Sequence, residues 1–112
     1  MIELNTFNKW RSEINDDLKD ADPFFKEFGA LDDKAYGDGA IPVKYKELTG
    51  LSISVLSRCP ECVAYHAQQC LKYGANKEEI IEALKMGLIG GGSITYPTIR
   101  EAISILKQLE VI

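Results

Sequence analysis

The sequence has few of the residues that most often carry chemistry. Its 112 residues include one histidine, one tryptophan and three cysteines. Positive charge is also scarce, since the net charge is −4 and the pI is about 5.0. An acidic chain matches poorly with nucleic acid or with an anionic membrane surface, so we expect neither as a partner.

Long apolar segments are missing too. The first 18 residues include Glu3, Lys9, Arg11 and Asp16, whereas a signal peptide needs an uninterrupted apolar core. No run is long enough to cross a bilayer. We therefore expect a cytoplasmic protein. Thiols stay reduced in that compartment, so a close pair of cysteines there is expected to be redox-active or metal-binding rather than a structural disulfide.

A strand pattern is absent, whereas apolar residues recur at helical spacing. The first such stripe predicts a helix at about residues 3–20 and consists of Leu4, Phe7, Trp10, Ile14 and Leu18. Later stripes and helix-start signals predict about five more helices, of which the third, opened by Pro42, is expected to be buried on most sides. The length suits one domain, and so much apolar surface on a small chain favours a homo-oligomer. The predicted fold is a small all-α domain of about six helices.

The triple glycine 90–92 is not followed by the Lys-Ser/Thr pair of a phosphate-binding loop, and no strand precedes it. A bend between two helices is the better interpretation. We expect no bound cofactor.

Reactive side chains concentrate in one stretch, where Cys59, Cys62 and His66 share one face of a predicted helix that begins at Pro60. The start of a helix stabilises a thiolate, which favours Cys59 as the reactive sulfur. A histidine one turn away can take a proton from a thiol, which favours Cys62. The spacing does not choose between the two sulfurs, but it predicts a redox-active dithiol.

A metal site is the main alternative for this stretch. A structural zinc ion needs four ligands, and the chain offers Cys59, Cys62, His66 and at best Glu47 or a side chain from a second subunit. A non-catalytic oligomer whose thiols bind metal or sense redox state is therefore a rival hypothesis. The remaining cysteine, Cys70, is expected to be a small buried hydrophobic residue.

From about Phe24 to Leu109 the chain resembles the carboxymuconolactone decarboxylase / alkylhydroperoxidase D-like family. The resemblance rests on four ordered segments: Tyr36-Gly37-Asp38-Gly39-Ala40 followed by Lys46-Glu47-Leu48; Arg58-Cys59-Pro60-Glu61-Cys62 with His66; Tyr73-Gly74-Ala75 with Glu78-Glu79-Ile80; and the triple glycine. It divides the chain into an additional N-terminal helix, residues 1–22, and a family domain, residues 23–112.

The resemblance implies an all-helical protein that assembles into trimers or hexamers and acts as a thiol-dependent peroxidase or disulfide reductase. It implies four catalytic residues: Glu47 polarises His66, His66 deprotonates Cys62, the Cys62 thiolate attacks a peroxide, and Cys59 resolves the product as a disulfide. An external lipoyl- or thioredoxin-like dithiol would then restore the thiols. Glu61 stands where the family's peroxidases carry a second histidine. The decarboxylase branch, which generally lacks the cysteine pair, is the alternative activity.

Overall fold

The computed structural model describes all 112 residues as α-helices joined by short connections, without a β-strand. The six helices are, in chain order, α1 (Leu4–Ala21), α2 (Pro23–Tyr36), α3 (Val43–Leu56), α4 (Pro60–Lys72), α5 (Lys77–Gly91) and α6 (Tyr96–Gln108). One 3-10 turn, Ser93–Thr95, lies between the last two. The predicted all-α fold of about six helices is therefore confirmed.

Local sequence accounts for where several helices begin. At the start of α2, the Asp22 carboxylate accepts a hydrogen bond from the Phe24 N–H at 2.8 Å, and Pro23 occupies the first helical position. At the start of α5, the side chains of Asn76 and Glu79 each accept a bond from the other's backbone N–H. This capping box satisfies two amides that the first turn of a helix would otherwise leave free.

The connection from α3 to α4 is short because α3 ends in a Schellman motif. The Cys59 N–H donates to the Ser54 carbonyl, and the Arg58 N–H donates to the Val55 carbonyl, both at 3.0 Å. Arg58 itself has a φ of 55°, a left-handed conformation that costs a residue with a side chain about 1 kcal/mol. The motif turns the chain sharply, so Cys59 is delivered directly to the N-cap of α4.

The core is built around α3, which packs against α4 and α5, while α6 packs against α4. Each of these helices and the start of α1 contributes to one buried apolar cluster. Its members include Leu4, Phe7, Leu51, Val55, Val63, Ala64, Ala67, Cys70, Ile80, Leu84, Ile105 and Leu106. The N-terminal helix therefore shares the core of the rest of the chain.

The expectation that α3 is buried on most sides holds except along one face, which is open in the single chain. Glu47, Leu51 and Val55 face the core, but Tyr45 and Ile53 are about half exposed. The reason is the number of neighbours: α4 and α5 cover two sides of α3, and α2 meets it only weakly.

Helix α2 buries none of its residues. Its apolar side chains Phe24, Phe28 and Leu31 are more than 60% exposed. The helix packs chiefly on α1, so one apolar face of it is open to solvent. No helix of the chain is long and apolar enough to cross a membrane.

Candidate active site

Cys59 and Cys62 lie at the first turn of α4, where they form a disulfide with a Cα–Cα distance of 5.2 Å. Cys59 is the N-cap, and its sulfur accepts a hydrogen bond from the Cys62 N–H at 3.2 Å. Both residues are partly exposed. An amide of the first turn therefore points at the Cys59 sulfur, and an N-cap position of this kind stabilises a thiolate when the pair is reduced.

His66 lies one turn further along α4 and is held by Glu47 of α3. The distance from His66 Nδ1 to Glu47 Oε2 is 2.7 Å, and the two side chains are 13% and 3% exposed. A carboxylate at this distance accepts a hydrogen bond from the Nδ1–H group, which leaves the lone pair on Nε2. The pair therefore presents His66 as a base whose orientation is set by a second helix, and the buried Glu47 has the partner that it needs.

Two tyrosines flank the His66 ring. The Tyr36 ring, at the end of α2, stacks on it with a centroid distance of 5.2 Å and an interplanar angle of 28°. The Tyr65 ring meets it edge-on at 5.0 Å. Burial, and then the nearby Glu47 carboxylate, raise the pKa of Tyr36 above its ordinary value of 10.0, so its hydroxyl keeps its proton at neutral pH.

Gly50 of α3 lies directly against the Tyr36 and His66 side chains. A Cβ atom on Gly50 would lie 2.6 Å from the Tyr36 hydroxyl and 2.8 Å from His66 Cε1, closer than such atoms can approach. The absence of a side chain therefore lets α3, α2 and α4 meet at the histidine. Glycine in a helix interior costs about 1 kcal/mol relative to alanine, which is the signal in the sequence that could have identified this close approach.

The residues predicted from the sequence form two contacting pairs: Cys59 with Cys62, and Glu47 with His66. In the disulfide form the hydrogen bond of His66 goes to Glu47 and not to either sulfur. Glu61, in the first turn of α4, is exposed. Tyr36, Tyr65 and Gly50 were not predicted from the sequence to belong to this site.

Cys70 lies two turns beyond Cys62 and is free and fully buried, as expected. Burial raises the pKa of its thiol from 9.0 to about 12. Its thiol is therefore protonated at neutral pH, and only a thiolate is a good nucleophile. No group of three or more His, Cys, Asp and Glu side chains is arranged to hold a metal ion.

Comparisons with known proteins agree with this picture. The family model of the carboxymuconolactone decarboxylase family matches residues 22–108. A solved structure from Thermotoga maritima, a member of that family for which an antioxidative role has been suggested, superposes with a TM-score of 0.89 at 40% identity and covers 94% of this chain and 90% of that one. A family member from Legionella pneumophila superposes with a TM-score of 0.85 at 27% identity, covering 94% and 95%.

Among curated sequences, a protein of Cupriavidus necator is 36% identical over 56 residues, which are 49% of this chain and 50% of that protein. The match thus spans half the length of that relative. The family model, in contrast, covers most of the chain, and the structural similarity extends over nearly all of it. This chain therefore belongs to the carboxymuconolactone decarboxylase family.

Proposed function

We propose that this protein is a thiol-dependent peroxidase, or disulfide reductase, that uses Cys59 and Cys62 as a redox-active dithiol. The observation that carries the proposal is the 2.7 Å contact between Glu47 of α3 and His66. His66 lies on α4, the helix that begins with the cysteine pair. A base oriented by a carboxylate and set near a nucleophile is the general arrangement that activates thiols and hydroxyls. The suggested antioxidative role of the Thermotoga maritima protein supports the same activity.

The oxidative half of the reaction begins at Cys62. His66 Nε2 takes the thiol proton, and the thiolate attacks the terminal oxygen of a peroxide. The O–O bond breaks, Cys62 becomes a sulfenic acid, and the departing alkoxide takes the proton from His66 to give an alcohol. The Cys59 thiol then attacks the sulfenic sulfur. An S–S bond forms, and the hydroxyl leaves as water with the Cys59 proton.

The reductive half needs an external dithiol, which we expect to be lipoyl- or thioredoxin-like. One of its thiolates attacks the Cys62 sulfur, and Cys59 leaves. Because the first-turn amides stabilise the Cys59 thiolate, it is the better leaving group of the two. The second thiol of the reductant then releases Cys62, so the sum of both halves is peroxide and dithiol converted to alcohol, water and a new disulfide.

The test is peroxide-dependent oxidation of a dithiol such as dihydrolipoamide by the purified protein. Cys62→Ser should abolish turnover, and His66→Gln should slow it by about 10²-fold, the usual contribution of a general base. Cys59→Ser should leave a sulfenic acid on Cys62 that a dimedone probe traps. Cys70→Ser is the matched control and should retain the activity. Full turnover by Cys62→Ser would overturn the proposal.

We further propose that the protein is a cytoplasmic homo-oligomer, a trimer or hexamer as its family resemblance implies. The exposed apolar face of α2 supports association of copies, because Phe24, Phe28 and Leu31 are each more than 60% exposed in the single chain. An exposed apolar face of this kind usually marks an interface.

A further inference from the structure

The proposed function uses His66 but leaves its two aromatic neighbours without a role. These neighbours come from different parts of the chain: Tyr36 closes α2, and Tyr65 precedes His66 on α4. A cation restrains each of them: Lys46 of α3 bonds the residues on either side of Tyr36, and Arg11 of α1 lies over the Tyr65 ring. The His66 ring is thus surrounded by a set of contacts that extends well beyond Glu47.

The first set of contacts runs through Tyr36. Lys46 Nζ, on α3, donates hydrogen bonds to the Ala35 carbonyl at 2.9 Å and to the Gly37 carbonyl at 2.6 Å. These carbonyls lie at the end of α2, where helical backbone bonds run out, so the ammonium group fixes the last turn. Tyr36 sits between the two anchored residues, and its ring lies flat on His66.

The second set runs through Tyr65. The guanidinium carbon of Arg11, on α1, lies 4.2 Å from the centre of the Tyr65 ring, a cation–π contact. Gln69 Nε2 donates to the Tyr65 hydroxyl at 2.9 Å. Both contacts restrain the ring whose edge meets His66. Through Arg11, α1 thus reaches the site, although the whole of α1 lies outside residues 22–108, which the family model matches.

We propose that Tyr36 and Tyr65 are positioning residues that hold the His66 imidazole in the plane where Nδ1 faces Glu47 and Nε2 is available as a base. The ring of Tyr36, rather than its hydroxyl, does most of this, since stacking restricts rotation of the imidazole about its bond to Cβ. The catalytic meaning of this inference rests on the proposed peroxidase function, but the orientation of the ring can be measured without any activity.

Nuclear magnetic resonance is suited to the test because His66 is the only histidine, so its imidazole signals are identified at once. In ¹⁵N-labelled protein at pH 8, the two imidazole nitrogens report which of them carries the proton. We expect Tyr36→Leu to reduce the Nδ1-protonated form, as the two imidazole ¹⁵N signals report it, whereas Tyr36→Phe, which keeps the ring, should resemble the wild type. In the peroxide assay, Tyr36→Leu should lower kcat/KM about tenfold, as misplaced catalytic groups do.

A matched control is Tyr73→Leu, an exposed tyrosine at the end of α4 whose aromatic contact is with Lys72. It should leave the His66 signals unchanged. Arg11→Met tests the second set of contacts at a partly exposed residue, with Lys9→Met, at an exposed position of α1, as its control. We expect Arg11→Met to shift the His66 signals and Lys9→Met not to.

Two results would overturn the proposal. In the first, the His66 nitrogen signals of Tyr36→Leu and Arg11→Met match those of the wild type. In the second, Tyr36→Phe and Tyr36→Leu change these signals equally, which would assign the effect to the hydroxyl. If the wild-type protein does not turn over peroxide, the proposed peroxidase function is wrong. The signal shifts in the two variants would still support the positioning role.

Discussion

Glu47 Oε2 lies 2.7 Å from His66 Nδ1, although the two residues are 19 positions apart and belong to different helices. The carboxylate is almost completely buried, and the imidazole is its hydrogen-bond partner. A buried carboxylate is costly unless it is paired, so this contact ties the packing of α3 and α4 to the orientation of the histidine.

Replacing the carboxylate should weaken the base. In Glu47→Gln the amide keeps the shape of the side chain but no longer stabilises positive charge on the imidazole, so we expect kcat/KM for peroxide to fall about 10- to 10²-fold. Glu61→Gln is the control, because Glu61 is exposed in the first turn of α4. A larger loss in Glu61→Gln than in Glu47→Gln would place the proton relay at Glu61 instead.

Alanine substitutions at Gly50 and Gly29, two glycines inside helices, should change the free energy of unfolding in opposite directions. A methyl group at Gly50 would clash with Tyr36 and His66, so Gly50→Ala should lower the free energy of unfolding by about 1–3 kcal/mol. A Cβ at Gly29, inside α2, would meet nothing within 4 Å. Gly29→Ala should therefore raise the free energy of unfolding by about 0.5–1 kcal/mol through helix propensity. Urea denaturation measures both, and a stable Gly50→Ala variant would contradict the crowding at the histidine.

Cys70 should not react with thiol reagents in the folded protein. With its pKa raised to about 12 by burial, it is protonated at pH 8, so an alkylating reagent should modify two thiols in the reduced, folded protein and the third only after denaturation. Mass spectrometry counts the adducts. Rapid modification of three thiols in the folded state would contradict the burial.

The same thiol makes stability depend on pH. The folded protein keeps the Cys70 proton up to about pH 12, whereas the unfolded chain loses it above pH 9.0, so the unfolded state binds fewer protons between these values. The free energy of unfolding should therefore fall as pH rises, by about 1 kcal/mol at pH 10. Denaturation of the oxidised protein at pH 8 and pH 10 measures this. Cys70→Ala should lack this part of the loss, and an equal decline in both proteins would argue against it.

Lys46 should contribute to stability through the end of α2. Its two bonds to backbone carbonyls are lost in Lys46→Met, and we expect the free energy of unfolding to fall by about 1–2 kcal/mol. Lys85→Met, at an exposed position of α5, is the control and should change little. Thermal unfolding compares the two variants. Equal melting temperatures would show that the ammonium group does not secure the helix end.

The exposed face of α2 can be tested by charge. Phe28→Glu places a carboxylate on a side chain that is 62% exposed, so the single chain should fold normally while association of copies is lost. Light scattering measures the mass in solution. Lys26→Glu, on the same helix, is the control for a changed charge. An unchanged oligomer in Phe28→Glu would exclude this face as the interface.

Much of the fold could be predicted from the sequence because its signals are local. The six helices follow from apolar residues at helical spacing, and the starts of α2, α4 and α5 follow from Asp22, Pro60 and the Asn76–Glu79 box. The exposed sides of α3 could not be predicted, since an apolar stripe is the same whether its neighbour is the core or another copy. The dithiol was also visible, because the spacing of Cys59, Cys62 and His66 lies within one helix.

The sequence by itself therefore determined the contents of α4: a cysteine at the N-cap, a second one turn later and a histidine one turn beyond. Tertiary structure decided what surrounds that histidine. Tyr36, Gly50 and Arg11 come from three other helices, and their approach to His66 and Tyr65 depends on how those helices pack. The physical reason is range: helical periodicity relates residues within a turn or two, whereas contacts between helices depend on the shape of the whole core.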